Sequence, residues 1–92
     1  MFFVYILECK SKHDHVTLYT GYTNNLERRV EEHVSGKGAR HTRGKKCKLV
    51  FFQSFPTQQE AMQRELEIKS FSTVKKRELL KDICYNELLH RF

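Results

Sequence analysis

Apolar and polar positions change their period several times along this chain, and each change marks an element. Phe2 to Glu8 is a short run of aromatic and β-branched residues, the pattern of a buried strand. Lys10 to His15 is polar and turn-like, and Val16 to Tyr22 is apolar again. The two runs predict a hairpin with a loop somewhat longer than the commonest ones. Gly21, near the end of the second run, points to a bulge or a close backbone approach. From Asn24 the period becomes helical. Asn24 is a good N-cap, Glu27 completes a capping-box-like pair, and the helix is expected to end near Val34, before Ser35-Gly36. A basic loop over 36–46 follows, with a single helical turn expected around Arg40. Lys48 to Phe55 predicts a third strand, ended by Pro56. Thr57-Gln58-Gln59-Glu60 is a capping box that opens a second helix to about Ser70. Ser72 and Thr73 offer the cap of a third helix through about Lys81. The expectation is an α+β fold, a small three-stranded antiparallel sheet flanked by helices in the order β-β-α-β-α-α.

Composition narrows the class. With 92 residues the chain is expected to be a single domain, with a core over 2–81 and a tail over 82–92 that can continue as helix. At 39% hydrophobic and 30% charged it is too apolar for disorder, and it lacks the regularity of collagen or a coiled coil. No apolar run approaches the roughly 20 residues that span a bilayer. The opening Met1 to Leu7 has no basic leader and runs straight into Glu8, Lys10 and Lys12, unlike a signal peptide. A soluble, cytoplasmic protein with no membrane partner is therefore expected. Cys9, Cys47 and Cys84 are odd in number and far apart in sequence, with no Cys-x-x-Cys, which argues against a disulfide scaffold or a structural zinc. His13-Asp14-His15 reads as a solvated turn.

Charge adds a partner. The chain carries 17 Lys+Arg against 11 Asp+Glu, a formal +6. Residues 37–48 hold Lys37, Arg40, Arg43, Lys45, Lys46 and Lys48, together with His41 and no acid. Such a block is either a solvated loop or the electrostatic footprint of a phosphate-backbone binder.

The helices supply candidate chemistry. Projected at about 100° per residue, Leu26, Val30 and Val34 form the core stripe of the first helix, and Asn25, Arg29 and His33 run along its edge. An amide, a guanidinium and an imidazole beside an apolar seam suit an anion at the border of a cleft. On the second helix Ala61, Met62, Leu66 and Ile68 build the apolar face, and Glu65 falls inside it. A carboxylate there is costly unless it is paired, for example with Lys69 one turn on, or holds a cation. Tyr5 and Tyr19 sit on the paired strands. Two tyrosines, an arginine, a histidine and a glutamate are the parts needed for metal-assisted attack on a phosphodiester.

These residues resemble a family. Phe3-Val4-Tyr5 followed by Tyr19-Thr20-Gly21 is similar to the paired motifs of the GIY-YIG nuclease superfamily, with Phe3 in place of a glycine and Thr20 in place of an isoleucine. Asn25 to His33 looks like that family's helix, in which the second of two adjacent basic residues, here Arg29, is catalytic. Glu65 falls where the family places its metal-binding glutamate. Gly36 to Thr42 and Phe55-Pro56 look most like the small stand-alone branch related to the structure-specific repair endonuclease subunit. The resemblance implies a divalent-metal-dependent endonuclease on DNA. In it Glu65 binds one Mg²⁺ or Mn²⁺, Arg29 stabilises phosphoryl charge, and Tyr5 or Tyr19 helps activate water. His33 handles a proton or orients a neighbour, Asn25 and Gly21 hold the geometry, and Lys37, Arg40, Arg43, Lys45 and Lys46 contact the nucleic acid. Two alternatives share the fold: a non-catalytic nucleic-acid-binding module, and an accessory protein that works with a protein partner through its C-terminal residues.

Overall fold

The computed structural model describes residues 1–36 and 42–80, so the turn expected around Arg40, the tail, Lys37 and Cys84 lie outside the described residues. Six elements follow one another: β1 (Phe2–Lys10), β2 (Val16–Thr23), α1 (Leu26–Val34), β3 (Lys46–Phe55), α2 (Gln58–Lys69) and α3 (Thr73–Leu79). The sheet is antiparallel in the order β2-β1-β3, which puts β1 in the centre. This is the expected α+β arrangement, with strands one to two residues longer at several ends than their apolar runs. Such extensions are normal once a ladder partner is present to hydrogen-bond polar residues such as Lys10 and Lys46.

Because strand side chains alternate, β1 feeds two cores. Tyr5, Leu7 and Cys9 pack with Leu26 and Val30 of α1 and with Leu49 of β3. Val4 and Ile6 pack with Ala61 and Ile68 of α2 and with Phe51. The apolar run Leu49-Val50-Phe51-Phe52 serves both faces through an irregularity in the β1–β3 ladder. Ile6 opposes Phe51 but Leu7 opposes Leu49, leaving Val50 as the extra residue. Val50 and Phe51 consequently share the α2 core, while Leu49 and Phe52 pack on the α1 side. The bulge lies here in β3 rather than at Gly21.

Three apolar positions are not where the helical projection put them. Val34 is 57% exposed, and His33 is buried in its stead. Relative to Leu26, Val30 lies about 40° round the helix and His33 about 20° the other way, whereas Val34 has drifted to about 80°. The face turned to the sheet is therefore Leu26, Val30 and His33. On α2 the buried pair is Ala61 and Ile68, seven residues apart and so about 20° from one another. Met62 and Leu66 fall outside that direction, and Leu66 is 63% exposed. Glu65 remains inside it.

Both caps of α2 lie where the local signals put them: Thr57 accepts from the Glu60 N–H, and Ser70 closes the helix. Ser72 caps α3 by accepting from Lys75 N–H. At α1 the cap is Asn25 and not Asn24. Its Oδ1 accepts from Arg28 N–H at 3.1 Å, and the Thr23 hydroxyl accepts from Asn25 N–H at 3.1 Å. Moving the cap by one residue makes Leu26 the first helical position and brings it onto the sheet.

Candidate active site

Tyr5 occupies the middle of the central strand with only 1% of its surface exposed. Its ring lies over Gly21, its direct partner on β2, where a Cβ would sit 2.5 Å from the Tyr5 oxygen. The close approach suggested by that glycine is thus an approach of the tyrosine ring to backbone. The Tyr5 hydroxyl and His33 Nε2 are 3.0 Å apart, and His33 Nδ1 lies 2.8 Å from the Thr42 Oγ1, all within the buried interior. Tyr19, the half-buried tyrosine, stacks against the other two rings, with its centroid 5.1 Å from that of His33 and 6.4 Å from that of Tyr5.

Arg29 joins this cluster from α1. Its Nη1 donates to Glu32 Oε2 at 3.0 Å, and its guanidinium lies close enough to the Tyr5 hydroxyl for the two to interact electrostatically. Burial works to lower the Arg29 pKa, but the Tyr5 hydroxyl and the Glu32 carboxylate outweigh it and hold the group above its ordinary value. Burial pushes the Tyr5 hydroxyl up to about 12 against the pull of Arg29, so Tyr5 is a neutral phenol at neutral pH. Burial, then the Arg29 charge, push His33 down to about 4, which makes it a neutral imidazole. The cluster is therefore one cation, paired with the Glu32 carboxylate and set against a neutral buried phenol and imidazole.

Glu65 arrives from α2, the helix that packs on the other core. Its side chain is 14% exposed, and Lys69 Nζ lies 3.6 Å from its carboxylate, the pairing one turn on that the spacing allowed. Its charge still reaches Tyr5, whose proton it helps to retain. Among the described residues no group of three or more His, Cys, Asp or Glu side chains is placed to hold an ion. A lone, partly open carboxylate fits a hard cation such as Mg²⁺, which keeps several waters and takes one or two carboxylates plus substrate phosphate. It does not fit an all-protein cage.

The remaining sequence-derived candidates are dispersed. Asn25 is exposed and caps α1, so it acts on the site only through the helix that carries Arg29 and His33. Arg43 and Lys46 are exposed and Lys45 is half-buried. Lys46 lines a cleft of about 340 Å³ with Lys10, Ser11, Lys12, Asp14 and Gly44, at the hairpin end of the sheet. Arg40 lies outside the described residues.

Two residues of the cluster were missed by sequence reasoning. Glu32 stands three positions after Arg29, a spacing that could have flagged it as a helical ion-pair partner. Thr42 carries no local signal at all. A further pairing also crosses the chain: Cys9 and Cys47 are direct partners on β1 and β3, with sulfurs 3.0 Å apart. Burial, reinforced by Cys47, pushes the Cys9 thiol up to about 12.

Comparison with known protein families matches residues 1–78 to the GIY-YIG catalytic domain. The chain belongs to the GIY-YIG family. Both tyrosines, Gly21, Arg29, His33, Thr42 and Glu65 fall within the matched stretch. Among GIY-YIG relatives, a UPF0213 protein of Natronomonas pharaonis is 51% identical over 81 residues, covering 87% of this chain and 91% of that one. A UPF0213 protein of Haloquadratum walsbyi is 47% identical over 81 residues, covering 87% and 86%. The solution NMR structure of a UPF0213 protein from Bacillus halodurans shares 40% identity, covers 90% of this chain and 89% of that chain, and superposes with a TM-score of 0.46. No helix among the described residues is long and apolar enough to cross a membrane.

Proposed function

We propose that this GIY-YIG protein is a divalent-metal-dependent endonuclease that hydrolyses phosphodiester bonds in DNA and selects its substrate by structure more than by sequence. The observation that carries the reading is the buried hydrogen bond of Tyr5 with His33, beside which Glu32 fixes the Arg29 cation. Arg29, 30% exposed at its side chain, is held from behind by Tyr5 and Glu32. It can therefore meet a phosphate without reorganising, which is what makes an electrostatic contact effective as charge builds in the transition state. Tyr19 is the tyrosine nearer to solvent, so it takes the role of orienting the attacking water, and it receives that water's proton as it gives its own phenolic proton to solvent. Tyr5, sealed from solvent, serves Arg29. His33 orients Tyr5 and stays neutral.

Glu65 would hold a single Mg²⁺ or Mn²⁺, which when bound supplies polarisation of the phosphate and stabilisation of the leaving oxygen. Lys69 neutralises the carboxylate in the meantime. The basic residues Arg43, Lys45 and Lys46 supply backbone contacts, which favour shape over sequence.

Cleavage should be assayed on duplex, flapped, branched and single-stranded DNA, with RNA alongside, with and without Mg²⁺ or Mn²⁺. Arg29→Ala and Glu65→Gln should each bind DNA like wild type and lose cleavage by at least on the order of 10²-fold. Extra metal should partly rescue only the glutamate variant. If wild type and both variants bind alike and none cuts, the chain is a nucleic-acid-binding module, a reading favoured by Glu65 already standing in an ion pair with Lys69.

A further inference from the structure

Thr42 is fully buried, as is His33, and their contact at 2.8 Å is shorter than that between His33 and Tyr5. Thr42 opens the turn that leads into β3. Its carbonyl accepts from Lys45 N–H at 3.2 Å and lies 3.7 Å from the Cys47 sulfur, so the residue's backbone is pinned on its own account.

A hydroxyl can donate or accept, and a neutral imidazole does one of each, so the Thr42–His33 contact by itself does not set a direction. The far end of the chain does. The Tyr5 hydroxyl has one proton to place, and the nearby Arg29 guanidinium has only donors and cannot take it. The Tyr5 proton must then go elsewhere, and at 1% exposure it has no solvent to go to. His33 Nε2, 3.0 Å away, is the acceptor in reach. A protonated Nε2 would turn the phenol oxygen into the acceptor and orphan the phenol's own proton, which is costly in a buried site.

We infer that Thr42 is a positioning residue: its hydroxyl accepts from Nδ1–H of His33, which leaves Nε2 to accept the Tyr5 proton and turns the Tyr5 lone pairs toward Arg29. The donors then run one way, from Tyr5 to His33 to Thr42, and the phenol oxygen beside the guanidinium is fixed by a polar chain anchored in the turn before β3. The consequence for catalysis rests on the nuclease reading above, whereas the tautomer is measurable on a protein that cuts nothing.

The test is the imidazole nitrogen spectrum of His33 in the full, ¹⁵N-labelled chain at neutral pH, for wild type, Thr42→Val and Thr42→Ser. Wild type should show a single tautomer with the proton on Nδ1. Thr42→Ser should keep it. Thr42→Val, verified as folded by its melting transition, should lose that preference and populate the Nε2–H form. A wild-type His33 protonated on Nε2 overturns the inference, and so does a Thr42→Val protein with an unchanged spectrum. If the valine variant does not fold, wild type and Thr42→Ser still decide, since a serine variant that loses the Nδ1–H form also overturns it. In the cleavage assay Thr42→Val should lower kcat on the order of 10-fold with DNA affinity unchanged, and Thr42→Ser should restore it. A wild type that cuts nothing removes the nuclease reading and leaves the tautomer result standing on its own.

Discussion

Gly21 stands directly opposite Tyr5 in the β1–β2 ladder, and the tyrosine hydroxyl occupies the space that a side chain at Gly21 would need. The glycine is required for room, not for an unusual backbone. Gly21→Ala should therefore displace the Tyr5 hydroxyl from His33 and Arg29 while leaving the strand able to pair. The expected outcome is a protein that folds, binds DNA, and cuts at least about 10-fold more slowly, since one preorganised contact is misplaced. Kinetics on the preferred substrate check this, and an alanine variant with wild-type kcat would show that Tyr5 has no part in holding Arg29.

His33 ties stability to pH. Its folded pKa of about 4 lies below the unfolded value near 6.5, so between the two the unfolded chain binds more protons. Stability should fall as pH drops through that window, with a limiting slope of about 1.4 kcal/mol per pH unit. The comparison is with His33→Gln, which cannot titrate. Urea denaturation at pH 7 and pH 5 should show a larger loss in wild type than in the variant. Equal losses would mean that His33 is not held neutral by its burial.

Thr20 is 4% exposed on β2, and its hydroxyl has no hydrogen-bond partner among the described residues. It stands at the position where the family motif carries an isoleucine. Thr20→Val keeps the β-branched shape and removes the stranded hydroxyl. It should stabilise the fold by about 1 kcal/mol. Denaturant midpoints measure it, and a destabilised variant would reveal a partner for that hydroxyl.

If Arg43, Lys45 and Lys46 meet phosphate, binding to nonspecific duplex should weaken steeply with salt. Neutralising all three should flatten the log–log dependence by up to about three contacts of roughly 0.9 each. An unchanged slope would assign the block to solvent. Neutralising Lys10 and Lys12, which line the neighbouring cleft with Lys46, shows in the same titration whether the track extends past the hairpin.

The limits of the elements were legible in the chain to within one or two residues because they are set by neighbours a few residues apart. Pro56 stops β3, Thr57 with Glu60 starts α2, Ser72 starts α3, and short aromatic and β-branched runs mark the strands. Glu65 was legible for a related reason: a carboxylate at the centre of an apolar arc breaks the helical period, whatever lies opposite. Arg29 and His33 were singled out from their line on α1, though His33 lies in the core where Val34 of the apolar stripe was expected. Asn25 caps the helix, and Val34 faces solvent.

Those misjudgements share a cause. A helical wheel says which residues share a face, but how a short helix is rolled against its sheet depends on what the sheet presents. Here β1 offers Tyr5, whose hydroxyl needs a partner once it is buried, and α1 is rolled so that His33 meets it and Val34 does not. On α2 the same docking choice leaves Met62 and Leu66 outside the core. The pairings of Cys9 with Cys47 and of His33 with Thr42 join segments with no shared period or cap. The amino-acid sequence alone determined the order of the elements, their caps and the kinds of chemical group available. Tertiary structure alone decided which of those groups touch, because buried polar atoms find their partners across the sheet and not along the chain.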